Sequence, residues 1–343
     1  LRNTTVMLPR RTLLALTAAL PGAALLPGAL ARPAAAQTAA HPAAHPWPDR
    51  PVRLVVPYPA GSTPDIVART VAQHFSTVFA QPFVADNRAG AGGNLGTDAV
   101  AKATDGLTIG VSINGPLSTA PSLYPNLPYN PAKDLAPVSL LVRAGQVLVV
   151  HPSVPARTLA EFVAYAKANP NALTYGSVGP GSGGHLAMED LKARAGIQAE
   201  HVPYRGFPQA TLDLVAGRIN AMIITVAGIL PQVREGQAIA LAVTAEGRLP
   251  QLPEVPTLEE SGMPGATSYA WIGLIAPAAT PADRVQALAR EAQAALAAPQ
   301  AKLAMATAGF EVVTNTPEEF ASFIATETAR WGGLIQRLGI RAE

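Results

Sequence analysis

Four times along this chain a short apolar run rich in β-branched residues stops at a turn of glycine and proline, and a helix begins. In the first instance Leu54 to Val56 read as a buried strand, and Pro57, Pro59 and Gly61 stop it. Thr63-Pro64-Asp65 then suits a helix start. A threonine hydroxyl caps, a proline at the first helical position loses no needed N–H, and an early aspartate suits the positive end of the dipole. Ile66, Val67, Thr70 and Val71 continue with helical spacing toward Phe75. A strand that feeds a helix through small residues leaves free backbone N–H groups pointing at one spot, which attracts anions without a cationic side chain.

The theme recurs. Pro82 to Ala85 is followed by Gly90, Gly92, Gly93 and Gly96, and a helix over 97–103. Leu173 to Val178 runs into Gly179-Pro180-Gly181-Ser182-Gly183-Gly184-His185 and a helix over 186–195. Val202-Pro203-Tyr204-Arg205-Gly206 precedes a helix over 208–216 and a strand ending at Thr225. Strands alternating with helices predict βαβ units on parallel sheets, an α/β chain. Two apolar runs are longer, Val138–Val150 around Arg143-Ala144-Gly145 and Tyr269–Ile275, and each is long enough to pass between domains. Thr158-Leu159-Ala160-Glu161 predicts a capping box, Pro250 to Pro264 a loop with a short helix, and Thr280-Pro281 and Thr316-Pro317 the starts of two tail helices.

Residues 1–36 read as an export signal: Arg10-Arg11, an apolar stretch from Thr12 to Leu20 continuing weakly to Leu30, then Ala34-Ala35-Ala36 as a small-residue cleavage site. The paired arginines leave both the general secretory and the twin-arginine routes open, and Met7 is a candidate start. Prolines at 21 and 27 argue against a membrane-spanning helix. Residues 37–50 form a leader, and Pro42 and Pro46 deny His41 and His45 the helix that would align them on a metal.

Residues 1–36 also hold four of the 25 basic residues and no acid, so 21 basic face 23 acidic side chains in the remainder, net −2. That leaves no basic field for nucleic acid or an anionic membrane. With no cysteine, disulfides, thiolate metal sites, cysteine catalysis and a lipidated N-terminal cysteine are all excluded. No metal-ligand spacing and no cofactor motif is present: Gly90-x-Gly92-x-x-x-Gly96 is off by one from the dinucleotide fingerprint.

A serine hydrolase built on Ser182 and His185, oriented by Asp65 or Asp213, is the enzyme alternative. Pro180 occupies the place where the nucleophile elbow needs glycine, and a serine three residues before a histidine on one helix start is poor geometry for proton transfer.

Val56-Pro57-Tyr58-Pro59-Ala60-Gly61 with Asp65 and Ala68-Arg69 is one recognisable signature; Asn87-Arg88 with Gly90 to Gly93 and Gly96 is another. Asn114-Gly115-Pro116, Val150-His151-Pro152, His185-Leu186-Ala187 and Val202-Pro203-Tyr204 complete the set. Together, from Trp47 onward, they resemble the Bug family, the extracytoplasmic solute receptors of tripartite tricarboxylate transporters.

The resemblance implies a type II periplasmic-binding-protein fold, two α/β lobes with two crossing strands. Residues 51–143 and 271–343 would form lobe 1 and residues 144–270 lobe 2. It implies a periplasmic, monomeric receptor that closes over a small carboxylate and meets the membrane permease subunits of a transporter. A ligand sensor that signals to a membrane partner would use the same cleft. Carried over, the ligand-binding residues are Tyr58, Pro59, Ala60, Gly61, Ser62, Thr63 and Asp65 from the first loop. Ser177, Gly181, Ser182, Gly183 and His185 belong to the facing one. Ser112, Asn114, Tyr204 and Thr225 join them, with Trp271 as a further apolar wall. In two places the chain departs from the family pattern: Ser62 replaces a second glycine, and Ile224 stands where many members have an aspartate that engages an amino group. A dicarboxylate or aromatic carboxylate without an ammonium group is therefore the expected ligand.

Overall fold

A computed structural model of the chain describes residues 47–204 and 206–342. The expected export signal, the paired histidines of the leader and Arg205 lie outside the described residues. In chain order, β1 (Val52–Val56) leads into α1 (Thr63–Val78), and β2 (Phe83–Asn87) leads through a tight turn into α2 (Asn94–Ala101). After β3 (Thr108–Ile113) come a π-helical turn (Gly115–Thr119), α3 (Ala120–Leu123), α4 (Pro131–Asp134) and the long β4 (Leu135–Val150). Then follow α5 (Leu159–Ala168), β5 (Thr174–Ser177), α6 (Gly183–Ala195), β6 (Glu200–Pro203), α7 (Phe207–Val215), β7 (Ala221–Thr225), α8 (Leu230–Arg234) and β8 (Ile239–Val243). The chain closes with β9 (Tyr269–Pro277), α9 (Ala282–Ala297), α10 (Pro299–Thr307), β10 (Glu311–Val312) and α11 (Pro317–Leu338).

The strands join in the order β2-β1-β3-β9-β4-β7-β5-β6, with β8 and β10 also paired to β4. β1 to β3 run parallel to one another, as do β5 to β7. The two long strands are antiparallel to their neighbours and to each other, so the sheet is mixed where alternation alone predicts parallel pairing. β4 changes partners in mid-course: Gly145 is opposite Tyr269 of β9, and the next residue, Gln146, is opposite Thr225 of β7. Arg143-Ala144-Gly145 therefore does not interrupt the strand.

Burial follows the same division. One pair of apolar clusters draws on residues 52–144 and 271–320, including Leu54, Phe75, Leu141, Trp271 and Phe320. Another pair draws on residues 147–266, including Leu148, Phe162, Tyr175 and Ile224. Each fully buried side chain of this size contributes about 1.5–3 kcal/mol. A fifth cluster mixes the two sets, placing Leu186 of α6 against Leu123, Trp331, Leu334 and Ile335. The described chain holds together as one compact unit.

Local expectations hold in part. Thr316 and Glu319 form a reciprocal capping box at α11. Thr158 caps α5, but Glu161 turns its carboxylate to the N–H of Arg157. At α1 the cap is Ser62, not Thr63, which is the first helical residue. The segment 250–264 forms turns without a helix, and the tail carries three helices, not two. Trp47, expected in the leader, packs edge-on against Phe79 and Phe83 and donates its indole N–H to Gly106 O.

Candidate ligand-binding site

The first loop is held from below by one carboxylate. Asp65, buried in the first turn of α1, accepts hydrogen bonds from Gly61 N, Arg69 Nε and Asn87 Nδ2, each at 2.9 Å. Asn87 also donates to Tyr58 O at 2.9 Å. Burial alone would raise the pKa of Asp65, but the bonds from Arg69, Gly61 and Asn87 together hold it below the ordinary 3.8. Asp65 is thus engaged in shaping the loop, and Arg69 in balancing Asp65. Pro59, Ala60 and Gly61 stand exposed above it. Ser62, extended at φ −70° and ψ 162°, makes no capping bond, and its Oγ is buried without a partner among the described residues.

The second glycine-rich passage lets α2 approach this loop. A Cβ on Gly96 would stand 2.7 Å from Pro57 Cα and 2.9 Å from Arg88 O, so only glycine fits. Tyr58 Oη donates to Gly92 O at 2.9 Å, and burial, with Tyr124 nearby, pushes its pKa up. Ser112 is fully buried and shares a 2.8 Å hydrogen bond with Thr97.

The facing loop is built on a pair of histidines. Ser182 caps α6: its Oγ donates to Gly179 O at 2.8 Å and accepts from His185 N at 3.4 Å. Ser177 Oγ lies 2.7 Å from His201 Nε2 and accepts from Gly179 N at 3.1 Å. His185 Nδ1 accepts from Gly181 N at 3.2 Å, and the two imidazoles lie against each other, tilted by 43° with centroids 4.3 Å apart. Burial, with help from His201 and Lys192, lowers the pKa of His185 to about 3. Burial also lowers that of His201 to about 4, Glu189 pulling the other way and Lys192 adding to the fall. Both rings are neutral near pH 7, so His185 is free to accept from the loop backbone. Within α6 the amides of Gly183 and Gly184 have no partner among the described residues.

A crevice separates these two constructions. Tyr58, Gly92 and Asn94 line it on one side, Val178, Pro180 and Ser182 on the other. Ile113, Gly115, Thr119, Ala120, Leu123 and Tyr124 complete its lining. Its cavity volume is about 20 Å³, room for about one water molecule. Of the residues expected to bind ligand, Tyr58 and Ser182 line it directly. Asn114 Nδ2 would be 3.3 Å from a Cβ on Gly183, beside the start of α6, and Gln146 Oε1 3.2 Å from it. Gln146, 1% exposed at the partner change of β4, was not anticipated.

Other expected residues sit elsewhere. Tyr204 donates its hydroxyl to Asp213 at 2.9 Å and packs against Gly176, and it does not line the crevice. Trp271 packs edge-on against Phe320 and Phe323 and donates to Glu327, so it is a core residue and not a wall. Thr225 is buried at the end of β7 opposite Gln146. Ile224, which stands where many family members have an aspartate, lies in an apolar cluster. The hydrolase alternative loses its geometry too: Ser182 meets the backbone of His185 and not its ring, while Asp65 and Asp213 are engaged by other partners.

With this geometry in place, comparison with known sequences is decisive. The profile of the tripartite tricarboxylate transporter family receptor (TctC) matches residues 67–340. The chain belongs to this receptor family. The receptor is 36% identical to BugT of Bordetella pertussis over 310 residues, covering 90% of this chain and 95% of BugT. Among solved structures it is similar to an R. palustris protein with adipate (34% identity, TM-score 0.79, covering 86% of this chain and 99% of the other). It is also similar to MatC from Rhodopseudomonas palustris with bound malate (32% identity, TM-score 0.76, covering 84% and 100%). The receptor shares the α/β fold of periplasmic binding proteins, and its relatives bind solutes and are not enzymes. Among the described residues no helix is long and apolar enough to cross a membrane.

Proposed function

We propose that this receptor is exported to the periplasm, binds a small dicarboxylate in the crevice between the Tyr58 and Ser182 loops, and presents it to a tripartite transporter. The two groups of apolar clusters would be two lobes, 51–143 with 271–343 and 144–270, moving about the long strands β4 and β9.

The observation that carries this reading is a crevice lined by Tyr58 and Ser182, each adjoining in sequence a helix start equipped to donate but not to neutralise. The partnerless amides of Gly183 and Gly184 and the partnerless hydroxyl of Ser62 are hydrogen-bond donors that a carboxylate would satisfy. The neighbouring cation Arg69 is already bound to Asp65. Adipate and malate in two similar structures are both diacids without an ammonium group.

A thermal-shift panel of diacids, monoacids and amino acids on the mature chain tests it. At a hundred times its dissociation constant a ligand stabilises the folded state by about 2.7 kcal/mol, a rise of several degrees in Tm. Diacids are expected to give that rise and amino acids none; a panel in which no diacid shifts Tm overturns the reading.

A further inference from the structure

Gln146 stands where β4 leaves β9 for β7, and its main chain is fully occupied there. Its N–H donates to Thr244 Oγ1 at 3.0 Å, and its carbonyl accepts from Thr244 N at 2.8 Å. Its side chain is not occupied in the same way. Ser268 Oγ donates to Oε1 across a long 3.5 Å, and Nε2 has no hydrogen-bond partner among the described residues. The residue is 1% exposed. A buried side-chain amide with idle N–H donors is a net cost to the fold, because its bonds to water are lost and not replaced.

Two glycines bring the head of α6 against this side chain. A Cβ on Gly184 would fall 2.1 Å from Ile223 O, so the helix starts pressed onto β7, the strand paired with β4 at this point. A Cβ on Gly183 would stand 3.2 Å from Gln146 Oε1 and 3.3 Å from Asn114 Nδ2. Gln146 Nε2 lies 3.6 Å from a Cβ at either position, and so flanks the peptide that joins the two glycines. Asn114, 5% exposed at the end of β3, also has no partner for its side-chain amide among the described residues. The partnerless amides of Gly183 and Gly184 therefore have two buried, partnerless carboxamide side chains beside them.

We propose that Gln146 is a specificity-determining residue which, with the Gly183 and Gly184 amides, receives one carboxylate of the ligand and selects it over a carboxamide. This inference rests on the dicarboxylate reading above. A carboxylate presents acceptors alone and can satisfy every one of these neutral donors, whereas a carboxamide brings an N–H group to face them. The Ser268 bond to Oε1 leaves Nε2 as the end free to donate. Gln146, Gly183 and Gly184 all fall within residues 144–270, so in the two-lobe reading this pocket keeps its parts when the crevice widens. Asn114 comes from the opposite lobe and adds its donor as the crevice narrows.

The test is a calorimetric titration at pH 8 of the mature chain and its Gln146→Glu and Gln146→Met variants. The ligands are succinate, adipate and their monoamides, and urea unfolding of the empty proteins runs beside it. The unaltered receptor is expected to bind a diacid about tenfold or more tightly than the matching monoamide. Gln146→Glu keeps the shape but replaces the free donor with an acceptor and sets like charge against like charge. The diacid should then lose about a hundredfold or more, and the monoamide should become the tighter ligand. Gln146→Met keeps the length and loses the donor. Its diacid affinity should fall about tenfold or more, while the urea midpoint of the empty protein stays the same or rises slightly. That variant carries the test if Gln146→Glu does not fold. Full diacid affinity in the variants, or a lowered urea midpoint in Gln146→Met with affinity unchanged, overturns the role of Gln146 alone. An unaltered receptor to which no diacid binds overturns the dicarboxylate reading and this inference with it.

Discussion

Ser62 and Asp65, three residues apart, divide the labour of the first loop. Asp65 commits its carboxylate to Gly61, Arg69 and Asn87, whereas the Ser62 hydroxyl is buried with no partner among the described residues. Their alanine variants should therefore fail in opposite ways. Asp65→Ala leaves donors unpaired and is expected to cost about 2–4 kcal/mol in urea unfolding. Ser62→Ala should leave the unfolding midpoint unchanged or slightly raised while weakening diacid binding about tenfold, equivalent to about 1.4 kcal/mol. Titration calorimetry beside urea unfolding separates the two, and a Ser62→Ala protein with full affinity would remove that hydroxyl from the site. Ser177, which the sequence places with the ligand contacts, stands between these cases. Its hydroxyl is occupied by His201 and Gly179, so Ser177→Ala affects stability as well as binding.

At the scale of elements, the β5–α6–β6 corner rests on two neutral imidazoles, and this gives it an acid limit. In the unfolded chain both histidines take up protons near the ordinary 6.5. In the folded chain they stay neutral until about 4 for His201 and about 3 for His185. Stability from this pair is complete above about pH 6.5 and is lost as the pH falls from there through the two folded values. Protonating His185 also removes the acceptor that Gly181 N uses, so the facing loop loosens. The urea midpoint should fall between pH 7 and pH 5, and His201→Gln should make that fall shallower. A midpoint independent of pH across this range would contradict the burial of the pair. The same corner shows what the sequence discloses. The glycine-lined turn and its helix are legible at residues 179–195 because small residues and an apolar face report local geometry. His201 lies on the next strand, and its pairing with His185 comes from the parallel register of β5 and β6, which no local pattern encodes. Thr119, Leu123 and Tyr124 were invisible for another reason: Pro116 and Pro121 read as loop signals, while hydroxyl bonds back to Asn114 O and Gly115 O sustain a π-helical turn.

Over the whole molecule, β4 and β9 were legible as long apolar runs, but their antiparallel course was not, because direction is a property of the sheet and not of the strand. The two sets of cores meet through Trp331, whose cluster combines Leu186 of α6 with Leu123 and the end of α11. Trp331→Ala should cost about 3–5 kcal/mol and should weaken diacid binding as well, since Leu123, which lines the crevice, belongs to the same cluster. Measuring both on one preparation decides it: lost stability with unchanged affinity would mean that the cluster serves the fold alone. The peptide amides at the head of α6 have a wider consequence. A donor that belongs to the main chain survives every amino-acid replacement that keeps the turn, so the proposed grip on a carboxylate would persist while the surrounding side chains vary. Evolution of such a receptor toward a new nutrient would then proceed through its wall residues, and a lineage could collect many specificities without rebuilding its anchor.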